Sequence, residues 1–167
     1  MIDRRGLLTA GVALGALMAT GRMSEAETMT TDTIDYRKLS DADWHKRLTP
    51  EQFQVLRKHG TERPGSSALN HEKRKGTFAC AGCDLPLFAS DTKFESGTGW
   101  PSFYQPLPNA VGTTTDRSMF MTRTEVHCGR CEGHLGHVFD DGPKPTGLRY
   151  CMNGVSLKFA PETGGQT

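Results

Sequence analysis

The sequence predicts a mainly β fold with two short helices on its N-terminal side. Glycine is frequent, at 19 of 167 residues, as is typical of a chain with many turns. From Gly76 onward, short apolar runs alternate with turn residues, which is the pattern of short strands. A chain of this length favours a single domain that can bury a core without disulfide bonds.

Two capped helices are predicted before the first strand. Ser40 opens a first helical turn with a weak form of the capping box. Thr49 is a stronger start, because Pro50 suits the first helical position and Gln52 can return the capping hydrogen bond. Three histidines near these helices have no partner at ligand spacing and are predicted to be surface residues: His45, His59 and His71.

Local patterns place several strands. The candidates are residues 77–80, 85–89, 118–122, 124–128 and 136–139. Two further apolar runs, 148–152 and 155–159, flank the pair Asn153-Gly154, and an Asn-Gly pair in this setting predicts a two-residue hairpin turn. Alternation in the second run indicates that one of its faces is buried.

Residues 1–26 have the pattern of an export signal. Arg4 and Arg5 precede an uncharged stretch at 6–21, which is short for a bilayer span of about 20 apolar residues and suits a signal peptide. The arginine pair resembles a twin-arginine signal, although Asp3 occupies a position where Ser or Thr is usual. The alternative is a buried or membrane-anchoring helix. We expect cleavage at the end of the segment and a periplasmic protein.

The remaining chain is predicted to comprise a linker at 27–39, one domain at 40–160 and a tail at 161–167. Residues 1–26 hold three arginines and two acidic residues, so 17 of the 20 basic and 17 of the 19 acidic residues remain. A neutral domain has no broad field for nucleic acid or an anionic membrane. We therefore expect no nucleic-acid binding.

Four of the five cysteines form two Cys-x-x-Cys turns: Cys80, Cys83, Cys128 and Cys131. Two such turns can close a tetrahedral four-thiolate zinc site, which would clamp two hairpins together. The alternatives are two disulfides, given an exported protein, or thioredoxin-like redox pairs, although neither turn is followed by a helical pattern. Because four thiolates fill the shell, we expect one structural zinc ion per chain.

Cys151 is the cysteine outside these turns and is the candidate nucleophile. Arg149 lies two residues away on the same strand face, and a nearby cation favours the reactive thiolate. His134 and His137 lie upstream and can supply a proton. The alternatives are a small buried hydrophobe for Cys151 and zinc ligation by the histidines next to Cys131.

Two blocks of the sequence resemble the signature of the B-type methionine sulfoxide reductases. The first is Ser-Gly-Thr-Gly-Trp-Pro-Ser-Phe at 96–103. The second is Gly-His-Leu-Gly-His-Val-Phe-Asp-Asp-Gly-Pro at 133–143, followed by Gly-Leu-Arg-Tyr-Cys-Met-Asn at 147–153. The two cysteine turns stand in the order expected for this family, so that the resemblance covers residues 36–159.

This resemblance implies a fold of two antiparallel sheets, the β-tent, with the zinc site remote from the catalytic cleft. It also implies that Cys151 attacks the sulfur of methionine R-sulfoxide and becomes a sulfenic acid, the first reversible step of cysteine oxidation. The other residues that it assigns are His134, His137 and Asn153 as acid and oxygen-binding groups, Arg149 beside them, and Trp100 and Phe103 as substrate-binding residues.

One position departs from many family members, which carry a resolving cysteine where this chain has Thr98. Every other cysteine is assigned to zinc, so Cys151 is expected to be recycled by an external, thioredoxin-like thiol reductant. The expected substrates are oxidised proteins or peptides bearing methionine sulfoxide, or the free amino acid, and the expected role is repair of oxidative damage by a monomer.

Two other functions remain open at this point. A zinc-anchored β-tent could bind a ligand in an aromatic pocket without chemistry, which would leave Cys151 and the histidines without a role. A thiol peroxidase or sulfenate-forming redox sensor would react with peroxide faster than with a sulfoxide. Turnover of a sulfoxide substrate distinguishes all three.

Overall fold

The structure is a computed structural model that describes residues 34–118 and 121–162. The predicted export signal, the first part of the predicted linker and most of the predicted tail lie outside these residues. Within the described part of the chain, none of the helices has the length and apolar character needed to cross a membrane.

Two short helices precede the strands, as predicted: α1 (Asp41–Arg47) and α2 (Pro50–Lys58). The capping box of α2 is complete, because the Thr49 hydroxyl accepts from the Gln52 N–H and the Gln52 side chain accepts from the Thr49 N–H. The helix ends at His59, which adopts the left-handed conformation with φ 55°. Both helices turn apolar side chains inward, and Trp44, Phe53 and Leu56 are buried.

The folded domain begins within the segment predicted to be a linker. Tyr36–Lys38 forms a turn of 3-10 helix, and Tyr36 and Leu39 pack against the core. The Arg37 guanidinium donates to the carbonyl of Gly129 at 3.1 Å. These contacts attach residues 36–39 to the domain.

Nine strands in the described residues form two antiparallel sheets, which confirms the predicted fold class. The three-stranded sheet has the order β2-β1-β9, and the six-stranded sheet has the order β3-β4-β8-β7-β6-β5. The strands are β1 (Gly76–Cys80), β2 (Pro86–Ala89), β3 (Lys93–Phe94), β4 (Ser102–Phe103), β5 (Val111–Asp116), β6 (Arg123–Cys128), β7 (His134–Phe139), β8 (Arg149–Met152) and β9 (Leu157–Pro161).

Aromatic side chains from both sheets meet in the core. Phe103 stacks on Phe88 with ring centroids 4.3 Å apart and meets Phe78 edge-on at 4.9 Å. All three rings are fully buried. Phe103, expected to bind substrate, is therefore placed by the structure in the core and not in the wall of the Cys151 cavity. In the β4–β8 pair it lies opposite Tyr150, so alternation along β8 places it on the face away from Cys151.

The hairpin predicted at Asn153-Gly154 does not form. β8 pairs with β4 and β7, whereas β9 pairs with β1 in the other sheet. Asn153 has φ −65° and ψ 120°, while a tight hairpin turn of that type needs a positive φ. A short 3-10 turn at Gly154–Ser156 carries the chain from one sheet to the other.

The strand predicted at 118–122 is not found in the described residues of that range. Met121 and Thr122 lie outside any strand, and residues 119–120 are not described. The strand in this region is β5, which has the sequence Val-Gly-Thr-Thr-Thr-Asp. It pairs along its whole length with β6 and carries several exposed threonines, so it offers little apolar alternation to a sequence-based prediction.

Candidate active site and metal centre

The four cysteines of the two Cys-x-x-Cys turns meet in one buried cluster: Cys80, Cys83, Cys128 and Cys131. Their sulfur atoms all lie within 4.8 Å of one another, and none is in a disulfide bond. A tetrahedral ion with Zn–S bonds of about 2.3 Å holds its sulfurs about 3.8 Å apart. Two of the sulfur pairs, at 3.5 and 3.7 Å, match that spacing, so the cluster fits a thiophilic metal ion such as zinc.

The two turns of this cluster are built alike. In each, the carbonyl of the first cysteine accepts from an N–H four residues later: Cys80 from Asp84 and Cys128 from Glu132, both at 2.9 Å. Asp84 and Glu132 both adopt the left-handed conformation, with φ 58° and 57°. One turn belongs to the three-stranded sheet and the other to the six-stranded sheet, so a bound ion would tie the sheets together.

Cys151 lines a separate cavity of about 170 Å³. Its walls include three other residues that the sequence assigned to the site, Trp100, His137 and Asn153, and also Thr61, Arg123 and Phe139. A larger cavity of about 890 Å³ lies between α2 and β9, but no cysteine or histidine lines it. The smaller cavity is therefore the candidate active site.

Strand register brings the reacting groups together. Cys151 on β8 lies directly opposite His137 on β7 and opposite Ser102 on β4. Side chains directly opposite each other in an antiparallel pair share one face of the sheet. The thiol therefore sits between the His137 imidazole and the Ser102 hydroxyl. A second hydroxyl, that of Thr98 in the loop before β4, lies 3.8 Å from the Cys151 sulfur.

Burial raises the pKa of the Cys151 thiol, and the nearby Thr98 hydroxyl and Arg149 charge only partly offset this. The Arg149 charge lowers the pKa of Cys151, as predicted, but burial raises this pKa by more. The Asp141 carboxylate holds the Arg149 guanidinium through two hydrogen bonds of 2.8 Å, and the guanidinium also packs over the Phe139 ring at 4.4 Å. In the free site the thiol is thus the favoured form.

Each histidine of the site is held by a carboxylate. His137 Nε2 lies 2.8 Å from Asp116 Oδ2, and His134 Nδ1 lies 2.7 Å from Glu125 Oε1. Hydrogen bonds from Ser118, His137 and other neighbours hold the pKa of Asp116 well below its usual range. Because an ionised carboxylate only accepts, His137 must donate its Nε2–H to Asp116.

The two histidines occupy different layers. The His137 side chain lines the cavity, whereas His134 is buried behind it with ring centroids 5.4 Å apart. Burial lowers the pKa of His134 although the Glu125 hydrogen bond opposes the shift, so its imidazole is neutral at pH 7. Neither histidine belongs to the four-sulfur cluster, which removes the alternative in which they ligate zinc beside Cys131.

Asn153 and Trp100 are fixed by a residue that the sequence did not single out, Glu62. The Glu62 N–H donates to Asn153 Oδ1 at 3.0 Å, and its carbonyl accepts from Trp100 Nε1 at 3.2 Å. Its carboxylate accepts from the N–H groups of Gly154 and Val155 at 2.6 and 3.0 Å. Asn153 Nδ2 donates to a carbonyl of β7 at 3.0 Å, which leaves its second hydrogen for a ligand.

Asp116 and Glu125 were also missed. Glu125 could have been found from the sequence, because it is a charged residue on a predicted strand and lies opposite the candidate histidine His137. Asp116 had no such signal, since β5 itself was not predicted. Cys151, Trp100 and His137 give the cavity a sulfur, an aromatic wall and a carboxylate-anchored imidazole, which suits attack by sulfur on a small polarised group.

Comparisons with known proteins agree with this geometry. The family model of the SelR domain matches residues 48–161. The chain is 57% identical over 123 residues to a peptide methionine sulfoxide reductase MsrB of Agrobacterium fabrum. The aligned residues make up 73% of this chain and 91% of the relative. It is 58% identical over 124 residues to the enzyme of that name from Leptospira interrogans, with 74% and 95% covered. It is 52% identical over 141 residues to the enzyme of that name from Bradyrhizobium diazoefficiens, with 84% and 100% covered. The chain therefore belongs to the SelR-domain family, that of the B-type peptide methionine sulfoxide reductases.

Proposed function

We propose that this protein is an oxidoreductase that reduces the R epimer of methionine sulfoxide, in proteins and peptides or free, to methionine. The observation that carries the proposal is the cavity in which Cys151, His137, Trp100 and Asn153 meet. The chain's family supports it, since the curated relatives are named peptide methionine sulfoxide reductases.

The cavity walls suggest how a sulfoxide binds. The Trp100 indole is held by its hydrogen bond to the Glu62 carbonyl, so its ring offers a rigid apolar surface for the substrate methyl group. The remaining amide hydrogen of Asn153 and the imidazole of His137 can face the sulfoxide oxygen. This arrangement places the sulfoxide sulfur toward Cys151.

Oxygen transfer from the sulfoxide to Cys151 is the proposed chemical step. The Cys151 sulfur attacks the sulfoxide sulfur, and the oxygen is protonated from the histidine side of the cavity because an unprotonated oxygen is a poor leaving group. The attack forms a transient S–S bond and the S–O bond of the sulfoxide breaks. The oxygen then bonds to the Cys151 sulfur as the S–S bond cleaves, so that methionine leaves and Cys151 becomes a sulfenic acid. The cysteine sulfur loses two electrons and the sulfoxide sulfur gains two. The thiol's own proton balances the step, so no net proton is consumed.

We propose that an external thioredoxin-like dithiol restores Cys151. The dithiol reduces the sulfenic acid to the thiol, becomes a disulfide and releases water. The four cluster cysteines are buried as a set, and the structure places Thr98 rather than a thiol beside Cys151. Recycling therefore needs no second cysteine of this chain.

The ion at the four-cysteine cluster is proposed to be zinc in a structural role. Four thiolates leave no open coordination position for substrate or water. The zinc would stabilise the junction of the two sheets and take no part in the reaction.

The deciding experiment is turnover of each methionine sulfoxide epimer with a dithiol reductant. We expect the R epimer alone to be reduced, Cys151→Ser to be inactive with its metal content and fold retained, and His137→Ala to be slowed by about 100-fold, the scale for losing a positioned acid. Full activity of Cys151→Ser would refute the assignment. Faster consumption of peroxide would favour a peroxidase or sensor, and binding without turnover would favour a ligand-binding module.

We further propose that residues 1–26 export a monomeric enzyme to the periplasm, where exported proteins become oxidised. Replacing Arg4 and Arg5 with lysine should retain the precursor in the cytoplasm, because a twin-arginine route reads that pair. A reporter fusion that still crosses the membrane normally would exclude this route. Light scattering of the cleaved protein measures its molar mass in solution and so tests whether it is a monomer.

A further inference from the structure

Three metal-binding side chains meet outside the four-sulfur cluster and behind the cavity that Cys151 lines: His59, Glu125 and His134, the buried histidine of the site. Their ligand atoms all lie within 4.8 Å of one another. One carboxylate oxygen, Glu125 Oε1, lies 3.0 Å from His59 Nδ1 and 2.7 Å from His134 Nδ1. Two imidazole nitrogens therefore converge on one carboxylate oxygen.

The fold supplies these groups from three elements. Glu125 lies on β6, His134 begins β7, and His59 is the left-handed residue that ends α2. The side chains of His134 and Glu125 are 3% and 13% exposed, whereas that of His59 is 65% exposed. The cluster thus has two fixed donors in the protein and one adjustable donor at the solvent side, which also gives an ion a path of entry.

We propose that His59, Glu125 and His134 form a second metal site, for a divalent first-row transition ion such as Zn²⁺, Cu²⁺, Ni²⁺ or Co²⁺. Two imidazoles and one carboxylate suit these ions, and a three-ligand set leaves one coordination position open to water. The site differs from the four-cysteine cluster in ligand chemistry, because it contains no sulfur.

The geometry needs only a small adjustment to hold an ion. Nitrogen and oxygen ligands about 2.1 Å from a tetrahedral ion lie about 3.4 Å apart, compared with 2.7 and 3.0 Å here. The exposed His59 side chain can move outward to lengthen its own contact, and the Glu125 carboxylate must rotate away from His134 to lengthen the shorter one. Burial favours the neutral imidazole of His134, which is the form that binds a metal.

A bound ion would also affect the neighbouring active site, and this consequence rests on the proposed function. The rings of His134 and His137 lie 5.4 Å apart. A metal cation bound to His134 would oppose the build-up of positive charge in the neighbouring cavity. Protonation of the sulfoxide oxygen should then be slower while the ion is bound.

The binding test uses Cys151→Ser protein with zinc already in the four-cysteine cluster, titrated with Co²⁺. We expect one further equivalent to bind with weak ligand-field absorption and without a thiolate-to-cobalt charge-transfer band. His59→Ala and Glu125→Gln should each lose that equivalent. His71→Ala, a change at another exposed histidine, should retain it. Absence of the second equivalent, or its persistence in His59→Ala, would overturn the site.

The functional arm measures methionine formed in a single turnover by the protein with Cys151 intact, without thiol reductant, because thiols bind these ions. Added Zn²⁺ should slow the wild-type protein and leave His59→Ala unaffected. Inhibition that persists in His59→Ala would mean that the ion acts elsewhere. Binding without inhibition would refute only the effect on catalysis, whereas an inactive wild-type protein without added metal would refute the proposed function itself.

Discussion

The hydroxyl oxygen of Thr98, a residue of the loop between β3 and β4, lies 3.8 Å from the sulfur of Cys151. The other four cysteines are gathered in the buried cluster, so the nucleophile has a hydroxyl beside it, which cannot form a disulfide. One turnover without reductant should therefore stop at a sulfenic acid on Cys151. A sulfenate-trapping reagent followed by mass spectrometry should find the label on Cys151 and no loss of a second thiol.

The matched variants are Thr98→Cys and Thr98→Ser. The first should convert the single-turnover product to a disulfide, provided that the Cα atoms come within about 7 Å. The second retains the hydroxyl and should still give the sulfenic acid. A disulfide between Cys151 and a cluster cysteine in the unchanged protein would show that a metal-binding cysteine also resolves the intermediate.

Arg149→Met should raise the pKa of Cys151 further. Burial already raises this pKa in the free enzyme, and the Arg149 charge is one of the groups that lower it. Removing the charge leaves burial less opposed, so less thiolate forms at a given pH. Iodoacetamide alkylation of Cys151, followed over a range of pH, should move to higher pH in the variant. Arg63→Met, at an exposed arginine, should leave the profile unchanged, and a shift to lower pH in Arg149→Met would contradict the sign.

Asp116→Asn should slow the chemical step by about 10- to 100-fold with little change in KM. Asp116 accepts the Nε2–H of His137 at 2.8 Å, and a carboxylate in this position fixes both the orientation and the tautomer of the imidazole. ¹⁵N NMR of the histidine ring should show one tautomer in the wild-type protein and a mixture in the variant. Asp91→Asn, at an exposed acidic residue, serves as the control. An unchanged ring spectrum would exclude a positioning role for Asp116.

Features that depend on a few consecutive residues were predictable. The capping box at Thr49 and the two Cys-x-x-Cys turns appear where their local chemistry places them. Pairing of the turns into one cluster followed from the ligand count of a four-thiolate site. The cavity residues Trp100 and His137 came from the family resemblance rather than from local pattern alone.

Features that depend on register and distant partners were not predictable. The hairpin at Asn153-Gly154 fails because the distant Glu62 carboxylate holds the two N–H groups that follow Asn153. Phe103 belongs to the same sequence block as Trp100, yet its strand register turns it into the core. His59 has no ligand at a recognisable spacing, and only the packing of α2 on β7 brings it to Glu125.

Cys83→Ser should unfold the domain rather than merely reduce its activity. The Cys83 sulfur is buried and lies 3.5 Å from that of Cys128, across the junction of the two sheets. Binding of structural zinc contributes about 10–16 kcal/mol in small zinc domains, which is as large as the whole stability of a typical domain, about 5–15 kcal/mol. Loss of one thiolate should therefore abolish both metal retention and the cooperative thermal transition. Elemental analysis and melting followed by circular dichroism measure the two effects. Cys151→Ser is the matched control, because it removes a thiol outside the cluster and should keep both the metal and the transition. A folded and active Cys83→Ser protein without bound metal would show that the cluster is dispensable for the fold.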